Sequence, residues 1–229
     1  MPTLRAEGVT VSFGSGPQAV RTLTDLHVSV GAGEMTLVRG PSGSGKSTLL
    51  AVLGGLLTAD AGRVFLDALC VTELGEAARA RYRMRQVGFV FQGFQLFDTM
   101  SAIENVALPL LMAGTPAADA RHRAAGLLDR FGVGHRRELR PKQMSGGEQQ
   151  RVAIARALAL DPAVILADEP TAALDGATGR TVAAELRRAA SELGKLVVTI
   201  SHDERLLPFA DRVLTLADGR IVSDVRPAA

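Results

Sequence analysis

The sequence predicts an α/β fold: a largely parallel sheet core, an antiparallel β subdomain before it, and a helical subdomain inserted into it. Three observations carry this expectation. A short apolar run, Met35-Thr36-Leu37-Val38, leads into a glycine-rich turn and then a helical stretch. Short apolar strands alternate with helical stretches after it, and Val164-Ile165-Leu166-Ala167 is continuously apolar, as a strand buried on both faces of a parallel sheet should be. Between Gln92 and Met144 the strand pattern disappears. With 229 residues, 47% of them hydrophobic and 22% charged, the chain can bury a substantial core, and disordered, collagen-like and coiled-coil classes are excluded.

Taken in order, Val9-Thr10-Val11-Ser12-Phe13 places its apolar residues on one strand face, and 22–30 alternates less cleanly. Gly14-Ser15-Gly16-Pro17 reads as the turn between them, giving an antiparallel start. Residues 35–38 form a strand and 46–57 a helix. Further strands fall at 64–66, 87–91, 163–167, 196–200 and 213–216. Pro116 suits the N-terminus of a helix running to Phe131. The expected organisation is one domain over 1–229, with 1–92 and 145–229 as the core and about 93–144 as the helical subdomain.

Charge narrows the function classes. The 26 basic and 24 acidic residues leave a formal charge of +2, and a dedicated nucleic-acid binder carries a larger or more clustered excess. No nucleic-acid partner is expected. Only Lys46, Lys142 and Lys195 among the basic residues are lysines, which reads as codon bias. The single cysteine, Cys70, cannot close an intrachain disulfide. With no leader-like segment at the start, the expected setting is reducing and cytosolic. The longest apolar run, Ile103 to Gly114, is too short to cross a bilayer and contains Glu104, Asn105 and Pro109. Any membrane role must run through a partner.

Gly40-Pro41-Ser42-Gly43-Ser44-Gly45-Lys46-Ser47 matches G-x-x-x-x-G-K-[ST]. Chance would produce the pattern roughly 0.004 times in a chain of this length and composition. Glycines let the backbone wrap closely around phosphate oxygens, and the following helix turns its positive end on the same anion. Lys46 would reach the β- and γ-phosphates, and Ser47 would ligate Mg²⁺. The apolar strand ending in Asp168-Glu169 supplies the second element. Asp168 would hold Mg²⁺ at the carboxyl edge of the sheet, and Glu169 would polarise an attacking water. The third is Ser145-Gly146-Gly147-Glu148-Gln149-Gln150, which opens a helix expected to reach about Leu160. Ser145 and Glu148 have capping-box spacing. The same helix end could grip a second phosphate, and two such ends in one chain suggest that one serves a neighbouring molecule.

At this point the sequence resembles the ATP-binding cassette family, the ATPase subunits of ABC transporters. The resemblance runs in order through Gly40–Ser47, Gln92 after Val90-Phe91, and the signature Met144-Ser145-Gly146-Gly147-Glu148. It continues through Ile165-Leu166-Ala167-Asp168-Glu169-Pro170, Ala173-Leu174-Asp175, and His202 in Ile200-Ser201-His202-Asp203. It implies a P-loop NTPase core, ATP and Mg²⁺ as cofactors, and a head-to-tail dimer. Each ATP would lie between the phosphate loop of one chain, through Thr48, and Ser145, Gly146 and Gly147 of the other. Gln92 would sense metal, water and γ-phosphate and connect to the membrane partner; Ser47, Gln92 and Asp168 would face the metal. His202 would contact the γ-phosphate, Asp175 would lie at the dimer interface, and Phe13 would stack on adenine. Integral membrane permease subunits are the implied partners, placing the chain peripherally on the cytoplasmic face.

Two departures stand out: Met144 and Glu148 replace the common leucine and glutamine of the signature, and Thr171-Ala172-Ala173-Leu174-Asp175 lacks the Gly-Asn of the nearest subgroup. That subgroup is the lipoprotein-release and macrolide-export type, which Leu166–Thr171, Ser101–Pro109 and Arg140-Pro141 resemble. A regulatory cassette of the cell-division type is the alternative. DNA-repair heads are excluded by the short, heptad-free gap from Ser47 to Ser145, and translation-associated cassettes by the single phosphate loop. Phe94, Leu96 and Phe97 are expected to line a groove for a short helix of a membrane partner.

Overall fold

The computed structural model describes residues 2–14, 16–172 and 174–227; Ser15 of the expected turn and Ala173 of the Ala173-Leu174-Asp175 motif lie outside them. The first half holds β1 (Thr3–Phe13), β2 (Val20–Gly31), β3 (Met35–Arg39), α1 (Lys46–Leu53), β4 (Ala61–Leu66), β5 (Leu69–Cys70), α2 (Glu76–Gln86) and β6 (Val87–Val90). The second holds α3 (Ala102–Met112), α4 (Ala117–Arg130), α5 (Gly146–Ala157), β7 (Val164–Asp168), α6 (Gly176–Ser191), β8 (Leu196–Ile200), β9 (Arg212–Ala217) and β10 (Arg220–Val225).

The strands form two sheets. An antiparallel sheet runs β2-β1-β4-β5, and a six-stranded sheet runs β10-β9-β3-β8-β7-β6. In the larger sheet β9, β3, β8, β7 and β6 are mutually parallel, and β10 is the antiparallel edge. Its two faces feed two cores. Val164 and Leu166 of β7 pack with α1 and the smaller sheet, while Ile165 and Ala167 pack on the side of α3, α4, α5 and α6. All four are fully buried. Burying a large aliphatic side chain contributes about 1.5–3 kcal/mol, so a strand wedged between two apolar layers is stabilised at every position. That is why β7 reads as an unbroken apolar run.

Residues 93–144 contain α3, α4 and short 3-10 turns, with no strand among the described residues. α3 begins at a reciprocal cap: Ser101 Oγ accepts from the Glu104 N–H, and Glu104 Oε2 accepts from the Ser101 N–H at 2.7 Å. α5 packs against both α3 and α4 and joins their core.

Some boundaries differ from the sequence expectation. α1 stops at Leu53, short of 57, because Gly54 and Gly55 follow it. α5 stops at Ala157 rather than near Leu160. α2 and β10 carry little apolar periodicity. α2 buries only Tyr82, and β10 buries no residue.

Candidate functional site

The glycine-rich loop spans the gap between β3 and α1 and is pinned on two sides. A Cβ on Gly40 (φ 149°) would run into the Leu216 carbonyl of β9, and one on Gly45 (φ 101°) would meet the Thr22 carbonyl of β2 at 2.5 Å. Only glycine fits either position. Lys46 opens α1 and is largely buried. Its Nζ donates to the carbonyls of Gly40 at 2.9 Å and Pro41 at 2.8 Å, so the ammonium closes the loop on itself. Burial pushes its pKa down, opposed by the carboxylates of Glu169 and Asp168.

A cleft of about 310 Å³ opens over this loop. Ser42, Gly43, Gly45, Lys46, Ser47 and Thr48 form its floor, Gln92 enters from the end of β6, and Asp168 and Glu169 from the end of β7. His202 enters after β8, and Thr22 and Ile200 complete the wall. The parallel register explains the convergence: Val90 pairs with Ala167 and Asp168 with Ile200, so the residues after β6, β7 and β8 emerge side by side at the carboxyl edge. Gly40, Pro41 and Ser44 shape the loop beneath the cleft without lining it.

Glu169 adopts a left-handed backbone (φ 46°), a conformation that costs a non-glycine residue about 1–3 kcal/mol. Its surroundings hold it there. The Glu169 N–H donates to Ile200 O at 2.9 Å, and Glu169 Oε2 accepts from Ser201 Oγ at 2.9 Å and the His202 N–H at 3.4 Å. His202 Nε2 lies 3.8 Å from Oε1. Ser201 is fully buried and also accepts from the Asp203 N–H at 3.1 Å.

Asp203 in turn accepts from Thr171 Oγ1 at 2.6 Å and from Arg205 Nε at 2.8 Å. These contacts, the Arg205 guanidinium foremost, hold its carboxyl down to about 2. Arg205 also donates to the carbonyls of Thr171 and Leu174 at 3.4 Å. The loop after β7 and the loop after β8 are thereby one hydrogen-bonded unit. Sequence reasoning gave no role of their own to Ser201, Thr171, Arg205 or Thr22, since the fold alone brings them beside residues distant in the chain.

The metal-ligand chemistry fits Mg²⁺. Among the described residues no group of three or more His, Cys, Asp or Glu could hold a metal ion. The Ser47 hydroxyl, the Gln92 amide and the Asp168 carboxylate share the cleft and offer hard oxygen donors. Mg²⁺ keeps several waters and takes phosphate oxygens, so it needs only one or two protein ligands.

The remaining candidates lie off the cleft wall. Ser145, Gly146 and Gly147 begin α5, where Ser145 caps the helix and Glu148 returns the bond. Asp175 caps α6 by accepting from the N–H groups of Ala177 and Thr178 at 3.0 Å, and these bonds lower its pKa. Phe13, at the end of β1 opposite Val20, is 47% exposed, so its ring is not core.

An apolar groove of about 470 Å³ lies beside the cleft, walled by residues that include Leu56, Met84, Phe89, Phe91, Phe97, Leu108 and Met112. The expectation for this groove is corrected at two of three positions. Phe97 lines it, but Phe94 and Leu96 do not. Left-handed Phe94 (φ 58°) and Gln95 (φ 53°) reverse the chain, and Leu96 packs against the core. Arg156 of α5 fastens this reversal by donating to the carbonyls of Gln95 at 2.6 Å and Phe94 at 3.0 Å.

Comparison with known proteins agrees with this geometry. A protein-family model described as "ABC transporter" matches residues 23–172. The chain is 46% identical over 228 residues to the macrolide export ATP-binding/permease protein MacB 1/2 of Paracoccus denitrificans, covering 100% of this chain and 34% of that protein. It is 45% identical over 227 residues to an uncharacterized ABC transporter ATP-binding protein of Mycobacterium bovis, covering 99% of this chain and 68% of that protein. The chain thus spans about a third of the MacB relative. Among solved structures it superposes with a TM-score of 0.91 and 36% identity on the ATP-binding cassette MJ0796, described as a dimer in a post-hydrolysis state bound to ADP and Pi, with 99% of each chain covered. The chain belongs to the ABC transporter family and is one of its ATP-binding cassettes, an ATPase.

Proposed function

We propose that this chain is the ATP-hydrolysing subunit of a bacterial ABC transporter, in which a head-to-tail pair of cassettes couples MgATP binding and hydrolysis to movement of partner membrane subunits. The observation that carries the reading is the convergence of Lys46, Ser47, Gln92, Asp168, Glu169 and His202 in one cleft. Loop N–H groups and Lys46 bind the triphosphate; Ser47, Gln92 and Asp168 would hold Mg²⁺, which when bound would supply positive charge to the bound phosphates. Glu169 takes the proton of the attacking water. Its Oε2 is engaged by Ser201 and the His202 N–H, leaving Oε1 as the acceptor. His202 reaches the γ-phosphate, and Phe13 offers an exposed face to adenine.

Ser145, Gly146 and Gly147 lie off the cleft of their own chain. A helix end outside its own site is suited to the phosphate of a second copy, with Asp175 at the interface between copies. The apolar groove receives a short cytoplasmic segment of an integral membrane permease. Among the described residues no helix is long and apolar enough to cross a membrane, and the chain works peripherally on the cytoplasmic face.

Glu169→Gln tests this reading. The variant should bind MgATP, hydrolyse it at least ~100-fold more slowly, and accumulate as a dimer in MgATP. Near-normal turnover would remove Glu169 from the chemistry.

A further inference from the structure

We propose that Arg136 is a positioning residue that neutralises Glu148, so that the Ser145-Gly146-Gly147 helix end can receive the phosphate of a second copy's ATP. This inference rests on the composite-site reading above. A carboxylate, Glu148, stands three residues into the helix end that is to accept a polyanion. The two carboxylate oxygens are divided between two jobs. Oε2 accepts from the Ser145 N–H at 2.8 Å and lies 3.1 Å from Ser145 Oγ, completing the cap. Oε1 accepts from Arg136 Nε at 2.8 Å, with His135 Nε2 at 3.9 Å.

A glutamine could repeat the cap with its carbonyl oxygen and bring no charge. Glu148 therefore keeps the cap geometry but adds a fixed negative charge that opposes the incoming phosphate. Its side chain is only 13% exposed, so water screens that charge incompletely. The Ser145 N–H, the leading cause, and the Arg136 guanidinium both hold the carboxyl below its usual range, so the charge persists. Arg136 supplies the counter-charge from the side away from Ser145 and leaves the cap intact. Its own place is set by the backbone: its N–H donates to Val133 O at 2.9 Å, and the next residue's carbonyl accepts from Ile103 N at 2.9 Å. The cation is thus tied to the start of α3 and delivered to Glu148.

The test is a double-mutant cycle in the Glu169→Gln background, which holds ATP unhydrolysed, reading the MgATP-dependent dimer dissociation constant by sedimentation. Arg136→Met should weaken the dimer at least ~5-fold, while the same change in a Glu148→Gln background should weaken it less than ~2-fold. Arg136→Lys should stay near the parent, since it keeps the charge. Nucleotide binding by the undimerised chain should be the same in all. Equal weakening by Arg136→Met in both backgrounds, or none in either, overturns the inference and leaves the composite site standing. If Arg136→Met fails to fold, Arg136→Gln carries the same comparison, with Arg136→Lys as the charge-keeping control. Failure of the Glu169→Gln protein itself to dimerise in MgATP removes the composite site and the inference with it.

Discussion

Ser201→Ala removes one oxygen atom and isolates the role of the support behind Glu169. Ser201 is fully buried and does not line the cleft, so nucleotide should not sense the change directly. Its hydroxyl donates to Glu169 Oε2 at 2.9 Å and accepts from the Asp203 N–H at 3.1 Å. A hydrogen bond to a charged group is worth about 1.5–3 kcal/mol. If that energy orients the base in the transition state, its loss lowers kcat about 10–150-fold, at 1.36 kcal/mol per decade. Steady-state phosphate release, with kcat and KM for ATP taken separately, is the assay. We expect the loss in kcat, a KM within twofold of the parent, and recovery in Ser201→Thr, which keeps the hydroxyl. Urea unfolding serves as the control for global damage. A kcat within twofold of the parent refutes the reasoning. So does an equal loss in Ser201→Thr when the unfolding curve is unchanged.

Two further outcomes follow from the geometry. The Asp203 carboxyl sits at about 2 against an ordinary 3.8, so its ionised form favours the folded state. That contribution is present above about pH 4 and lost as pH falls through about 2. At 1.36 kcal/mol per unit, discounted for partial solvent screening, it amounts to about 1–2 kcal/mol. Asp203→Asn should cost that much in urea unfolding at pH 7 and almost nothing near pH 2; a pH-independent cost contradicts the ion-pair account. On the groove, Met112→Asp and Phe97→Glu change side chains that are 70% and 51% exposed. Both variants should fold and bind ATP normally while losing the stimulation of ATPase activity by the membrane partner. Full stimulation would place the docking surface elsewhere.

The parts of the site that were legible in the sequence are local. Gly40 to Ser47 encode a loop, a cation and a helix start within eight consecutive residues. Asp168 and Glu169 follow directly on the apolar strand that places them. Ser145 and Glu148 announce their cap by spacing alone. What stayed hidden is non-local. The bond from Ser201 to Glu169 crosses 32 residues and exists only because Asp168 pairs with Ile200 in the sheet. Arg156 clamps carbonyls some sixty residues earlier, and in sequence it is one more arginine among many. The groove shows the same limit. Crowded apolar residues after Gln92 signalled burial, but the left-handed turn at Phe94 and Gln95 decided which faced inward. α2 escaped notice for the converse reason: it buries Tyr82 alone, so no apolar stripe marks it.

The central claim is that one chain's phosphate loop works with another chain's Ser145. Lys46→Ala disables the loop and Ser145→Arg disables the helix end, and each should be inactive as a homodimer. Their defects should differ: Lys46→Ala weakens nucleotide binding by the isolated chain, whereas Ser145→Arg leaves it nearly unchanged. Mixed together, some heterodimers pair the intact loop of one chain with the intact helix end of the other. The decisive measurement is ATPase activity across mixing ratios of the two dead variants. The account predicts activity that rises from background to a maximum at equal amounts. A flat background at every ratio, with heterodimers shown to form, would contradict it.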